Sequence, residues 1–251
     1  MAVDSVGTER PLAPGPVPWV AMYHSVGDRS KDPYRITVTP ERLERQLRWL
    51  HRRGLKGVSL ADLLAARVRG EGRDLVALTF DDGYADFVDN ALPALRRRGF
   101  GATLFVLPGR LGGTNAWDPD GPRKPLLTAD GIRHAAAEGV EIGSHGLTHV
   151  DLTQADDETL EAEVHESRYR LAELTGVAVD GFCYPYGSID RRAMDAVRDA
   201  GYSYACAIDP GPLNGLHALP RLHIGENDNA LRLYLKHRLH PLRRRPVEGL
   251  R

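Results

Sequence analysis

Leu75-Val76-Ala77-Leu78-Thr79-Phe80-Asp81-Asp82-Gly83-Tyr84 is the stretch on which the fold turns. Leu75 to Phe80 carry no charge and have the length of a buried strand, and they stop abruptly at two adjacent carboxylates and a glycine. Working outward, helices and short apolar strands alternate. Downstream, the pattern predicts a helix over 84–98 closed by Gly99, a strand over 102–106, a helix over 128–138 and a strand over 140–142. A long helix over 156–175 capped by Gly176 follows, then a strand over 182–184, a helix over 188–200, a strand over 202–208 and a last helix over 228–239. Upstream, 19–23 reads as a strand that ends at His24. Thr39-Pro40 caps and starts a helix whose stripe Leu43, Leu47, Leu50 runs out at Gly54, and Ser59 caps another. Such alternation predicts an α/β fold with a parallel sheet closed or nearly closed into a barrel, whose reactive face lies at the strands' C-terminal ends.

The 251 residues suit one domain of this kind. With 42% hydrophobic and 27% charged residues the composition is that of a globular protein, and a formal net charge of -1 gives no field to gather nucleic acid. Charge is local instead: Arg232, Lys236, Arg238, Arg243, Arg244, Arg245 and Arg251 face the single acid Glu248. A solvated tail over 241–251 is the plain reading, and peripheral contact with an anionic membrane the alternative. Residues 1–18 read as a Pro-rich leader without a basic and then apolar signal pattern, and no run approaches the ~18 apolar residues of a membrane span, so the expectation is a cytoplasmic barrel over 19–240. Cys183 and Cys206 are too few for a disulfide framework and fit buried free thiols.

Four strand exits carry polar side chains: His24, then Asp81-Asp82, then His145 with His149, then Tyr184-Pro185-Tyr186-Gly187. Taken singly, Asp-Asp-Gly is an ordinary turn and a histidine an ordinary surface or packed residue. On one rim they acquire a joint chemical meaning. Two imidazoles and a carboxylate form a three-donor face that leaves positions open for water and substrate, which suits Zn²⁺, Fe²⁺ or Co²⁺ in Lewis-acid hydrolysis. Adjacent side chains diverge, so one of Asp81 and Asp82 can ligate while the other accepts a proton.

Leu78-Thr79-Phe80-Asp81-Asp82-Gly83-Tyr84 together with Ser144-His145-Gly146-Leu147-Thr148-His149 resembles the NodB-type polysaccharide deacetylases, carbohydrate esterase family 4. The resemblance spans about Trp19 to Ile224. It implies a single-domain, distorted (β/α)7 barrel, an acetylated carbohydrate substrate and a divalent metal, zinc first with cobalt, iron or nickel as alternatives. It also implies Asp81 as catalytic base, Asp82, His145 and His149 as metal ligands, and the Tyr186 N–H as an oxyanion donor.

Two departures from the family pattern matter. Many members hold the base with an Arg in a motif reading Arg-x-Pro-Tyr, where this chain has Cys183; Arg221 is the expected substitute. No clean Leu-x-His, the usual source of the general acid, appears near the C-terminus. Ala21-Met22-Tyr23-His24-Ser25-Val26 instead resembles the circularly permuted branch that includes deacetylases of poly-N-acetylglucosamine, which makes His24 the expected acid and His223 a reserve. The expected function is metal-dependent removal of an acetyl group, N-acetyl first, from a carbohydrate. Hydrolysis of a non-polymeric amide, such as an acetylated small glycoside or a ureide, is the alternative on the same site. A non-catalytic carbohydrate-binding protein is the alternative of another class. Loop 109–125, with Trp117, is where a small pocket would be walled off.

Overall fold

The chain's short apolar runs form strands β1 Val20–Tyr23, β2 Ser25–Val26, β3 Thr37–Val38, β4 Lys56–Val58, β5 Leu75–Phe80, β6 Thr103–Val106, β7 Glu141–Ser144, β8 Gly181–Cys183, β9 Tyr204–Ala207, β10 Leu219–Pro220 and β11 Leu222–His223. Between and around them lie helices α1 Pro40–Arg52, α2 Leu60–Val68, α3 Leu92–Arg96, α4 Ala129–Ala137, α5 Asp157–Glu161, α6 Ser167–Thr175, α7 Arg191–Asp199 and α8 Ala230–Arg243. The structure, a computed structural model, describes residues 18–243. The leader up to residue 17 and the basic stretch from 244 lie outside the described residues, and α8 runs to Arg243.

Every pairing in the main sheet is parallel, in the order β10-β9-β8-β7-β6-β5-β1-β11, with β4 also paired to β5. Pro220 pairs with Ala207 on one side and Leu222 with Ala21 on the other, so the run from Leu219 to His223 nearly closes the ring, with Arg221 at the break. Counted as one interrupted strand beside β1, β5, β6, β7, β8 and β9, it makes the seven of a distorted (β/α)7 barrel. β2 and β3 form a small separate sheet just past the exit of β1.

Strand periodicity sorts the core into two layers. Val20, Ala77, Phe105, Cys183, Tyr204 and Cys206 pack together with Leu60 and Leu63 of α2, whereas Ala21, Leu78, Phe80, Leu104, Phe182 and Ala205 pack with the surrounding helices. Helix starts follow side-chain capping: Thr39, Ser59, Thr128, Asp156 and Asp190 each accept a backbone N–H from the first turn, typically worth about 1 kcal/mol. At the far end of α6, Gly176 takes the left-handed conformation with φ 74°.

Strands β2, β3, β4, β10 and β11 go beyond the sequence expectation, and three of the expected helices differ from it. The helix expected over 84–98 opens only at Phe87, and as a π turn: Leu92 N–H donates to the Phe87 carbonyl, and the next residue is Pro93, which has no N–H to give. Tyr84 and Ala85 bridge instead to Leu126 and Pro125. The helix expected from 188 starts at Arg191, because Asp190 supplies the cap. The long helix over 156–175 is continuous but carries a π segment, Ala162–Glu166, between α5 and α6. Among the described residues no helix is long and apolar enough to cross a membrane.

Gly143 of β7 has no room for a side chain: a Cβ there would meet the Phe105 ring at 2.5 Å, and Phe105 is fully buried. Gly143→Ala is therefore expected to cost about 1–3 kcal/mol through overpacking, read as a lower urea midpoint at unchanged slope. A midpoint equal to wild type would show that the interior has slack at this level.

Candidate active site

The strand exits meet at one mouth. Asp81 and Asp82 follow β5, His145 follows β7, His24 follows β1, and Arg221 sits at the break between β10 and β11. Asp82 Oδ1 lies 3.2 Å from His145 Nε2 and 3.4 Å from His149 Nε2, all three residues being buried. Asp82 Oδ1 has no hydrogen-bond partner among the described residues despite its burial. His145 Nδ1 lies 2.8 Å from the Cys183 carbonyl oxygen. Since a carbonyl only accepts, that contact places a proton on Nδ1 and turns the other ring nitrogen toward Asp82 as a lone-pair donor. Two imidazole nitrogens and one orphaned carboxylate oxygen converging in a buried place are the donor set of a divalent cation, and the residues present fit one.

Asp81 points the other way. Arg221 donates to both of its oxygens, at 2.6 and 2.7 Å, in the fork geometry that only a guanidinium supplies. Arg221 also donates to Thr79 Oγ1 at 3.2 Å and lies 5.9 Å above the Phe105 ring, at 1% exposure. Burial raises the Asp81 carboxyl, and the charge and hydrogen bonds of Arg221 more than offset it, so the group sits below its ordinary range. Cys183 is a neighbour of the same carboxylate, its Sγ 3.7 Å from Oδ2; burial raises the thiol and keeps it neutral. His24 Nε2 lies 3.8 Å from Asp81 Oδ2. His223 stands behind it, ring centroids 6.3 Å apart, and burial together with His24 and Lys236 brings it down to about 4, which leaves it unprotonated at neutral pH.

Three residues of the mouth hold left-handed backbone without being glycine: Asp82 at φ 70°, His149 at 73° and Tyr186 at 60°. Such conformations persist where the surroundings enforce them. For the histidine loop the enforcer is Glu163, buried in the π segment, whose carboxylate accepts the N–H groups of Leu147 and Thr148 and the Thr148 hydroxyl. The cleft itself, about 250 Å³, is lined by His24, Tyr34, Asp81, Trp117, Tyr186 and Ile208 among others. Trp117 stacks on His149 at 4.3 Å and 11°, and Tyr186 meets the same ring edge-on. Loop 109–125 is held by Asn115, which donates to Asp118 at 3.2 Å and accepts from the Lys124 N–H at 2.7 Å.

A family model for polysaccharide deacetylases matches residues 69–205, more than half of the chain. The chain belongs to the polysaccharide deacetylase family. YxkH of Bacillus subtilis is 25% identical over 224 residues, covering 86% of this chain and 75% of that protein. Poly-beta-1,6-N-acetyl-D-glucosamine N-deacetylase of Staphylococcus aureus is 22% identical over 211 residues, covering 79% of this chain and 71% of that protein. The structure of the Streptococcus pyogenes deacetylase PplD in complex with acetate superposes with a TM-score of 0.75 at 24% identity, covering 88% of this chain and 98% of that one. This last likeness shows the fold.

In this polysaccharide deacetylase barrel the structure brings Asp81, Asp82, His145, His149, His24 and Arg221 into one cluster, with Tyr186 on its rim at 52% exposure. Sequence reading did not single out Glu163 or the Asn115-Asp118 pair. The signal for Glu163 was present: an acid one residue before Val164 and three after Leu160, on the face of the helix that packs into the core.

Removing one partner of the Asp81–Arg221 pair leaves a buried charge without compensation. Arg221→Met is expected to cost about 3–5 kcal/mol, and the double variant Asp81→Leu, Arg221→Met to recover much of that loss. Chemical denaturation of the four proteins of the cycle measures the coupling. Additive losses would mean that solvent, not the partner, compensates Asp81.

Proposed function

We propose that this member of the polysaccharide deacetylase family is a metal-dependent hydrolase that removes acetyl groups, N-acetyl first, from a carbohydrate. The observation that carries this reading is the three-donor cluster of Asp82, His145 and His149 with an orphaned buried oxygen, set directly beside a second carboxylate that faces the same cleft. Asp82, His145 and His149 would hold the metal, zinc first and cobalt, iron or nickel as alternatives. Bound there, a divalent cation supplies Lewis acidity, making water nucleophilic at neutral pH and drawing charge from an acyl oxygen.

The chain's own residues supply the rest. Asp81, kept ionised by Arg221, accepts the proton of the attacking water. The Tyr186 backbone N–H, on a left-handed residue at the rim, donates to the oxyanion that develops on the acetyl carbonyl. His24, its Nε2 3.8 Å from Asp81 Oδ2 at the mouth of the cleft, delivers a proton to the departing amine, which is a poor leaving group until protonated. Trp117, Tyr34 and Ile208 give the sugar apolar faces to lie against. The cleft is smaller than the sites that enclose a drug-sized ligand, in keeping with one acetylated ring entering while the rest of the glycan stays outside.

Elemental analysis of purified wild type under metal-replete conditions should give about one divalent ion per chain, lost in His145→Ala together with acetate release from N-acetylglucosamine oligomers. Absence of metal from the wild type would overturn the mechanism, and metal without acetate release would redirect the search to other amides. His24→Ala should retain its metal and lose about 10²- to 10⁴-fold in turnover. Near-normal turnover in that variant would remove His24 from the role of acid.

A further inference from the structure

A second cavity, about 680 Å³ and larger than the catalytic cleft, lies between α8 and the loop joining β2 to β3. Arg232, Leu235, Lys236 and Leu239 line it from one face of α8, at the spacing of successive helical turns. The two cavities share a wall. Tyr34 and Ile36 line the cleft while Arg35 and Thr37 line the larger cavity, and His223, which lines the cavity, has its ring centroid 6.3 Å from that of His24, which lines the cleft.

The charges around this space are unevenly satisfied. Its three acids are each occupied by near neighbours. Asp32 accepts the N–H groups of Ile36 and Thr37, and Glu226 accepts the Thr39 N–H and faces Arg42. Asp228 accepts the Gly225 N–H at 2.8 Å and the Lys236 ammonium at 2.6 Å. Arg29, Arg35 and Arg232, by contrast, line the same cavity with no ion pair or side-chain hydrogen bond to any described residue. Three exposed arginines around one space, none of them paired with the acids that share it, are suited to an oxyanion with several acceptor oxygens.

We infer that this cavity is a subsite for a phosphate or carboxylate group borne by the glycan whose acetyl group occupies the cleft. The inference rests on the deacetylase reading for the identity of the glycan, and on the shared wall for the choice of a glycan-borne anion over a phospholipid headgroup. A substituted oligosaccharide seated in the cleft can pass the Tyr34–Thr37 wall and place its anionic group among the arginines. The subsite then selects anionic glycans over neutral ones.

The test is equilibrium binding of fluorescently labelled N-acetylglucosamine oligomers to the full chain, one bearing a glycerol-phosphate substituent and one neutral, at the same length. The phosphorylated oligomer should bind about tenfold more tightly. That excess should shrink as salt rises and as inorganic phosphate is added, and disappear in Arg29→Gln, Arg35→Gln, Arg232→Gln, whose melting temperature reports that it is folded. Equal affinity for the two oligomers, or an excess that survives the triple variant, would overturn the subsite. Binding to vesicles of phosphatidylcholine mixed with phosphatidylglycerol, lost in the triple variant while the oligomers show no difference, would assign the arginines to a membrane and likewise overturn it. Acetate release measured on the same oligomers separates the two readings: preference without turnover keeps the subsite and removes the deacetylase, and turnover without preference does the reverse.

Discussion

The buried pair of Asp81 and Arg221 is the constraint around which the mouth of the barrel is arranged. A carboxylate at 2% exposure is costly to keep charged, and a guanidinium at 1% exposure is costlier still. Each is tolerable only because the other is there in two-point contact. The pair joins the exit of β5 to the break between β10 and β11, so the geometry that keeps the carboxylate ionised also fixes how the last strand run meets the first. Arg221 occupies the gap in the ladder where the run changes partner, with its remaining donors turned to Thr79 and the Ala207 carbonyl. Barrel closure and the electrostatics of the site are thus one arrangement.

Around that pair the mouth concentrates backbone strain. Left-handed residues of this kind cost on the order of 1–3 kcal/mol each, and three of them stand within one cleft. At Asp82 the conformation separates two neighbouring carboxylates, one facing Arg221 and the other the imidazoles. At His149 it folds the histidine loop back so that its ring meets both Trp117 and Asp82. Glu163 restrains that loop through its two N–H groups, and a π segment in a long helix is a recurrent way to aim one side chain at a functional site.

Much of this was legible beforehand because it depends on local chemistry. β5 is read from an uncharged run with a sharp polar stop, α1 from Thr39-Pro40 and a leucine stripe, α6 from its glycine stop. The gathering of His24, Asp81, Asp82, His145 and His149 was legible because parallel strands in a barrel all end on one face. What escaped has non-local causes. β10 and β11 are too short to show a period, and exist because they bridge β9 and β1. The late, π-type start of the helix before α3 reflects Pro93 and the bridge of Tyr84 to Leu126, neither of which alters the apolar pattern. Glu163 could be noticed as an acid on a core face, but its partners, sixteen and fifteen residues earlier, belong to a loop whose path only the fold defines.

The break at Arg221 also bears on when the site can come into being. The two residues of the central pair are 140 positions apart, and β11 finds its register only beside β1, near the other end of the described chain. During synthesis from the N-terminus, helices α1 to α7 and their strands can collapse while Asp81 still lacks its guanidinium. A nascent chain in that condition holds an incomplete ring and an unpaired buried acid. Maturation of the site is therefore coupled to the emergence of the last strand run, and a truncated product ending before it would retain much of the barrel without the electrostatics of the finished mouth.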